Sequence, residues 1–359
     1  MFVALGLICL GLWASNVDFL GQSNVINTTR QIGMLGILAV GISFVIITGG
    51  IDLSIGSVVG LTGVLLAKIS STDTGGLGHP IWLGIGIAMA VALIIGLVQG
   101  LLITQLNLQP FIVTLGFMLL VRGVSQTIVQ GGTLSFGDSP FRNLADTGWL
   151  QINGDAVLPY PLLIFGLVVL VSAYVLHFTV FGRYVYAIGG NRDAAEYSGI
   201  AVRKVETITY VISSGLAGVA GICYAAYIGQ MSQQVGIAFE LYAIAAAVLG
   251  GVSLRGGEGT IVGIIIGTAI MRVINNGITM FQVGYHDAKH IRRIWRLDTN
   301  WEFIIIGAVI LVAVILDQVV HVIQAKRRTR KAGGDSGMPK QTGFEVVTLG
   351  AGSSQPPAV

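Results

Sequence analysis

Asp52 is the residue whose surroundings most need a chemical explanation. It interrupts an apolar stretch running from Ile32 to Ala67 and is bracketed by Gly49, Gly50, Ser54 and Gly56. An acid at membrane depth is costly unless it meets a partner or a wet cavity. Two roles fit: lining a polar path with Ser54 beside it, or capping a helix that starts at Leu53, where the carboxylate would accept from free backbone N–H groups. Asn107, Gln109, Asn275 and Asn276 are uncharged hydrogen-bonding groups near the ends of apolar runs. Such groups suit a neutral polyhydroxylated ligand better than an ion, and each also fits a hydrogen bond between helices. Arg122 and Arg272 lie within or near the ends of apolar runs, where snorkelling to an interface is the simplest reading.

Other chemistries find little support. His286 and His290 are spaced i, i+4 with Asp287 nearby, but no third ligand completes a metal motif. H-E-x-x-H and G-x-S-x-G are both missing, so an intramembrane hydrolase is not indicated. Nothing fits G-x-x-x-x-G-K-[ST], so the chain does not grip ATP by that route. Cys9 and Cys223 both lie in apolar runs, where neither a disulfide framework nor a cysteine metal site is expected.

The elements that must position these residues are set by composition. Of 359 residues 53% are hydrophobic and 10% charged, which excludes an ordinary soluble domain, where charged residues make up about 25%. Apolar runs at 1–15, 32–49, 53–69, 81–104, 110–130, 160–178, 207–229, 241–254, 260–281 and 303–325 predict an all-α, polytopic membrane protein of about ten spans. The first run lacks a basic flank and a small-residue cleavage site, so it reads as a first helix rather than a signal peptide. The runs at 53–69 and 241–254 are short and flanked by glycine, as expected of broken or re-entrant helices. Spaced glycines such as Gly96 and Gly100, or Gly263 and Gly267, read as close helix packing. The segments Gly49–Gly56 and Gly250–Gly257 echo each other, each between two apolar runs, which raises a possible internal duplication.

Arg183, Arg192, Arg203 and Lys204 in 179–206, and five basic residues at 326–331, place both segments and both termini in the cytoplasm, with the acidic 131–159 loop outside. The same basic residues speak to orientation and not to nucleic acid. A membrane domain at 1–325 is followed by a tail at 326–359, basic and then disordered. The basic stretch His286–Arg296 falls on the external side of this count, and is read as an interfacial amphipathic segment anchored by Trp295 and Trp301, unless a span is miscounted. Within 179–206, a cap at Asn191 or Asp193, then Ala194, Ala195 and Glu196, and a stop at Gly199 predict a short helix outside the bilayer, built to dock a soluble partner.

Four ordered motifs carry a resemblance: TGGIDLSIGSVVGLTG (Thr48–Gly63), LQPFIVTLGFMLLVRGV (Leu108–Val124), FGRYVYAIGGNRDAAEYSGI (Phe181–Ile200) and FELYAIAAAVLGGVSLRGGEGTIVGIIIG (Phe239–Gly267), followed by Asn275-Asn276-Gly277. From about residue 19 to 317 the chain resembles the permease subunits of bacterial ABC importers for monosaccharides. The resemblance implies a homodimeric or heterodimeric pore in the cytoplasmic membrane, two ATPase domains on its inner face and a soluble sugar-binding protein on its outer face. The pore subunit would be non-catalytic and would need no cofactor of its own, since ATP and Mg²⁺ would sit on the partner subunits. Gly189, Asn191, Asp193, Ala194, Ala195, Glu196 and Gly199 would form the loop that couples to the ATPase, with Asp52 and the Gly250–Gly257 turn as pore-side or gating elements. Two departures stand out: the chain opens directly in its first helix, and Tyr285–Trp301 is longer and more basic than its counterpart. The rival class is an ion-coupled secondary transporter, for which Asp52 would be the coupling acid.

Overall fold

A computed structural model of the protein describes residues 2–319 apart from 74, 138, 150, 153–154, 157, 287–291, 297–300, 313 and 316–317. Met1–Asp317 form one compact unit. Of the second, Gln318–Val359, only 318 and 319 are described, so the expected tail at 326–359 lies outside the described residues. The helices are α1 (Phe2–Ser15), α2 (Gln22–Ile47), α3 (Ile55–Ser70), α4 (Ile81–Gln105), α5 (Pro110–Val129), α6 (Asn143–Asp146), α7 (Tyr160–Phe178), α8 (Val180–Gly190), α9 (Arg192–Tyr197), α10 (Val202–Ile228), α11 (Phe239–Leu249), α12 (Ile261–Met280) and α13 (Trp301–Val312). Among the described residues six strands, β1 (Thr133–Ser135), β2 (Gln151–Ile152), β3 (Asp155–Ala156), β4 (Gln230–Ser232), β5 (Gln282–His286) and β6 (Arg292–Arg296), pair antiparallel as β1–β4, β2–β3 and β5–β6.

Among the described residues, α2, α4, α5, α7, α10 and α12 are long and apolar enough to cross a membrane, and α1, α3, α11 and α13 are shorter apolar helices. The protein is thus a polytopic, all-α membrane protein. α2 and α10 form its centre, and residues 33–47 of α2 are buried throughout. Around them α4, α5 and α7 turn apolar side chains such as Ile94, Leu120 and Leu170 outward, as lipid-facing helices must. Gly96 and Gly100 let α4 lie on α10: a Cβ at Gly96 would stand 2.6 Å from the Tyr210 carbonyl oxygen.

Turns 106–109 and 179–206 share one face, here the near face, because Asn107 and Arg192 border the same cavity. Loops 71–80 and 131–159 share the far face, where the Ser71 hydroxyl reaches the Ser135 carbonyl and β1 pairs with β4. α3 starts in mid-bundle and runs to the far face. The chain after β4 descends along α3, with Val235 and Gly236 against Gly60 and Gly56, before α11 begins. Both short helices are therefore broken or re-entrant, as their length and glycines predict.

Three features go beyond the expectations. α2 begins at Gln22, ten residues before its apolar run, because polar residues of its first turns bond to other helices: Asn24 pairs with Asn276 and the Tyr227 hydroxyl donates to Asn27 at 2.9 Å. α8 precedes the short helix in 179–206, capped by Thr179 and burying Val185 and Ile188. The basic stretch near Tyr285 holds two paired strands, Gln282–His286 and Arg292–Arg296, and ten apolar helices lie among the described residues, as many as the apolar runs predict. His290 and Asp287 lie outside the described residues.

Candidate functional site

The two echoing segments are the same piece of backbone built twice. At the end of α2, Gly50 N–H donates to the Val45 carbonyl and Gly49 N–H to Ile46; at the end of α11, Val252 donates to Ala247 and Gly251 to Val248. Each is a Schellman stop, and its left-handed residue is Gly49 (φ +86) or Gly251 (φ +81), a conformation that only glycine adopts without strain. The structural register thus pairs Gly49 with Gly251, one residue off the pairing of Gly49 with Gly250 read from the sequence.

The two breaks meet. Gly257 N–H donates to the Ile47 carbonyl at 2.8 Å, the last carbonyl of α2. Gly189 on α8 closes this junction from the near face, where a Cβ would run into the Ile47 carbonyl and the Gly257 amide. The Tyr186 hydroxyl, one turn earlier, donates to the Gly259 carbonyl at 2.8 Å. Gly189 belongs to this junction, while Asn191 to Gly199 form the exposed loop helix beyond it.

Asp52 lies just past the first break, with no exposed surface. One carboxylate oxygen accepts from Ser54 N–H (3.0 Å) and the Ser54 hydroxyl (2.7 Å); the other accepts from the Ser213 hydroxyl (2.8 Å) and the Gln99 amide (3.3 Å). Asp52 and Ser54 thereby tie the start of α3 to α4 and α10. Ser54, also fully buried, is the residue immediately before α3. Gln99 and Ser213 escape sequence reading, because a single polar residue in a long apolar helix carries no signal of its partner.

Asn107 and Gln109 border a cavity of about 340 Å³ at the near face, between the first break, the turn before α5 and the start of α10. Asn107 holds a left-handed backbone (φ +51), which asparagine tolerates better than most residues. On the loop helix α9, the Asn191 side chain caps by accepting from Ala194 N–H at 2.9 Å, and Gly199 (φ +84) ends it with a third Schellman stop. Arg192 is clamped to Glu206 of α10 at 2.9 Å and lies 3.8 Å from Glu196; the Glu206 carboxylate raises the guanidinium further above its ordinary value. Ala195 is buried against the chain itself, whereas Asp193, Ala194 and Glu196 are exposed, and Tyr197 is 92% exposed. The sequence reading did not single out Tyr197, the most exposed large side chain of this loop.

Asn275 and Asn276 stand near the far face. Asn276 exchanges hydrogen bonds with Asn24, and Asn275 donates to Glu302, which also accepts from the Tyr242 hydroxyl at 2.8 Å. The six polar residues of the sequence reading thus fall in three places along the bundle. The arginines do not snorkel. Arg272 donates to the Tyr224 hydroxyl at 2.7 Å, and Arg122 forks onto the Val235 and Gly236 carbonyls at 2.7 and 3.0 Å, pinning the re-entrant segment to α5. Lysine cannot make that fork, so Arg122→Lys is expected to cost about 1–2 kcal/mol, one charged hydrogen bond, read as a lower thermal midpoint in detergent. Among the described residues, no group of three His, Cys, Asp or Glu is placed to hold a metal.

The two helix breaks thus abut, with the capped surface helix α9 beside them. Residues 24–314 match the family model described as branched-chain amino acid transport system / permease component. The chain belongs to this permease family. Similar permeases include the ribose import permease of Escherichia coli (strain K12), 38% identical over 301 residues, covering 84% of this chain and 87% of the relative. The galactose/methyl galactoside import permease of the same strain is 36% identical over 314 residues, with 84% and 88% covered. The fructose import permease of Bifidobacterium longum (strain NCC 2705) is 35% identical over 300, with 81% and 82% covered. No solved structure matches this permease.

Proposed function

We propose that this chain is the non-catalytic, membrane-crossing subunit of an ATP-driven importer for a monosaccharide or similar small polar solute in a bacterial inner membrane. The observation that carries the reading is the sustained similarity to permeases named for sugar import, over more than four-fifths of the chain. The near face is cytoplasmic, since 179–206 is basic, and both termini lie on that side. Two ATPase domains, which hold the ATP and Mg²⁺, dock on α9; a soluble sugar-binding protein docks on the far face, and a second permease subunit, identical or not, completes the pore. Asn107 and Gln109 serve the inner end of the solute path, and Asn275 and Asn276 the outer end. Asp52 and Ser54 hold the break between them.

The coupling works through rigid parts. Gly189 and the Arg192–Glu206 clamp join α9 to the two breaks and to α10, so a push on Asp193, Ala194, Glu196 and Tyr197 is delivered to the ends of α2 and α11. Affinity purification in mild detergent, with mass spectrometry and an ATPase assay, tests the assembly. Recovery of an ATP-binding subunit is expected; a preparation without one that still drives uptake from an ion gradient would favour the secondary transporter. Tyr197→Ala is expected to weaken ATPase association roughly 30-fold, the loss of a central aromatic contact of about 2 kcal/mol, as measured by co-purification at graded salt. Unchanged association would remove Tyr197 from the interface.

A further inference from the structure

The near-face cavity has a feature that helix packing does not explain. Tyr210, on α10, is 2% exposed, borders the cavity, and its hydroxyl has no hydrogen-bond partner among the described residues. Gly50 lies beside it, so that a Cβ there would stand 2.5 Å from the hydroxyl oxygen. Buried hydroxyls are nearly always paired, so an unpaired one just behind the cavity wall at Gly50 is a group that an occupant of the cavity can satisfy through a small shift of that wall. The rest of the lining has matching chemistry. Thr48, Asn107 and Gln109 offer donors and acceptors, and the charged groups of the lining, Arg192 and Glu206, neutralise each other at 2.9 Å. A volume of about 340 Å³ is that of a small-molecule site.

We propose that this cavity binds a neutral monosaccharide or polyol from the cytoplasmic side and that its occupancy slows import. The inference rests on the importer reading above and adds to it a site through which internal solute limits its own uptake. A net-neutral lining with amide and hydroxyl groups favours a polyhydroxylated solute over a sugar phosphate, whose charge would find no free cation there. The braking action follows from the walls. Arg192 of α9 and Thr48 and Gly50 of the first break face the turn into α5 (Leu108 to Pro110) across the cavity, so a ligand there resists movement of the coupled unit relative to that turn.

The test uses the full chain in lipid nanodiscs, without partners, titrated with labelled D-ribose, D-galactose and D-fructose and with glucose 6-phosphate as an anionic comparison. Saturable binding of at least one neutral sugar is expected, with the phosphate weaker. Tyr210→Phe, which removes only the hydroxyl, is expected to weaken it roughly tenfold, as for one lost hydrogen bond. Asn107→Gly, which removes the side chain where glycine accepts the left-handed backbone, should weaken it similarly. In proteoliposomes holding the complete transporter, the same sugar added on the ATPase side should inhibit uptake, and both variants should need about tenfold more. Failure of every neutral sugar to bind, tighter binding of the phosphate, or binding or inhibition that both variants retain in full would overturn the proposal. Absence of an ATPase partner would instead sink the importer reading, and the titration on the isolated chain would still report on the site.

Discussion

Gly189→Ala is expected to reduce uptake roughly 10- to 100-fold while leaving the ATPase bound. The reason is that the added methyl has nowhere to go: it would meet the Ile47 carbonyl and the Gly257 amide, both backbone atoms and neither the tip of a flexible side chain. α8 must then back away or the Gly257–Ile47 hydrogen bond must open, and overpacking of this kind typically costs about 1–3 kcal/mol. That range corresponds to the stated loss of rate if the junction is strained in the state that moves solute. The exposed face of α9, with Tyr197, is untouched, so association with the ATPase should persist while hydrolysis no longer drives uptake. Gly190→Ala is the matched control, because a Cβ there meets nothing within 4 Å. Uptake equal to wild type in Gly189→Ala would mean that α8 is not wedged between the breaks.

Asp52→Ala and Asp52→Asn are expected to part company. Alanine leaves the Ser54 N–H, the Gln99 amide and two serine hydroxyls facing an apolar gap. With about 1–3 kcal/mol for each buried donor that cannot find another partner, a total near 3–5 kcal/mol is reasonable. The variant should therefore give a low yield of monodisperse protein and a sharply lowered thermal midpoint. Asparagine keeps an acceptor for Ser54, and the partners of its other end can reverse: a serine hydroxyl rotates and a glutamine amide flips. Its fold and its uptake should stay within about twofold of wild type. A folded Asp52→Asn protein without uptake would show instead that the carboxylate's charge acts on the solute or on a coupling ion.

Much of this was legible in the sequence, and the gaps have physical causes. Apolar run length found the ten apolar helices among the described residues and marked α3 and α11 as short, because lipid imposes that length on any helix that crosses it. Asn191 and Gly199 were readable as ends of α9, since capping is a local code. The echo of Gly49–Gly56 with Gly250–Gly257 was visible but one residue out of register, because hydrogen bonding, not letter identity, defines which residues correspond. What depends on a distant partner was not legible. The polar start of α2 fell outside the apolar run without Asn276 and Tyr227 to answer it, and Arg122 looked like a snorkelling side chain without the Val235 carbonyl. Tyr197 and Tyr210 passed unnoticed because a tyrosine in an apolar or helical context is ordinary; only exposure in one case, and an unanswered hydroxyl in the other, sets them apart.

The bond between Gly257 and Ile47 joins residues separated by more than half the chain. A ribosome adding about 5–20 residues per second needs roughly ten to forty seconds to supply the second after the first. Through that interval the last carbonyl of α2 lacks its donor, and when α8 and α9 are made, roughly two-thirds of the way through, Gly189 still has no second wall to rest against. The joint that links α9 to the breaks therefore forms only once more than two-thirds of the chain exists. A chain that stalls or is cut before Gly257 would insert most of its helices and still lack this joint, and if α9 docks an ATPase as proposed, such a copy would offer it only a loose handle.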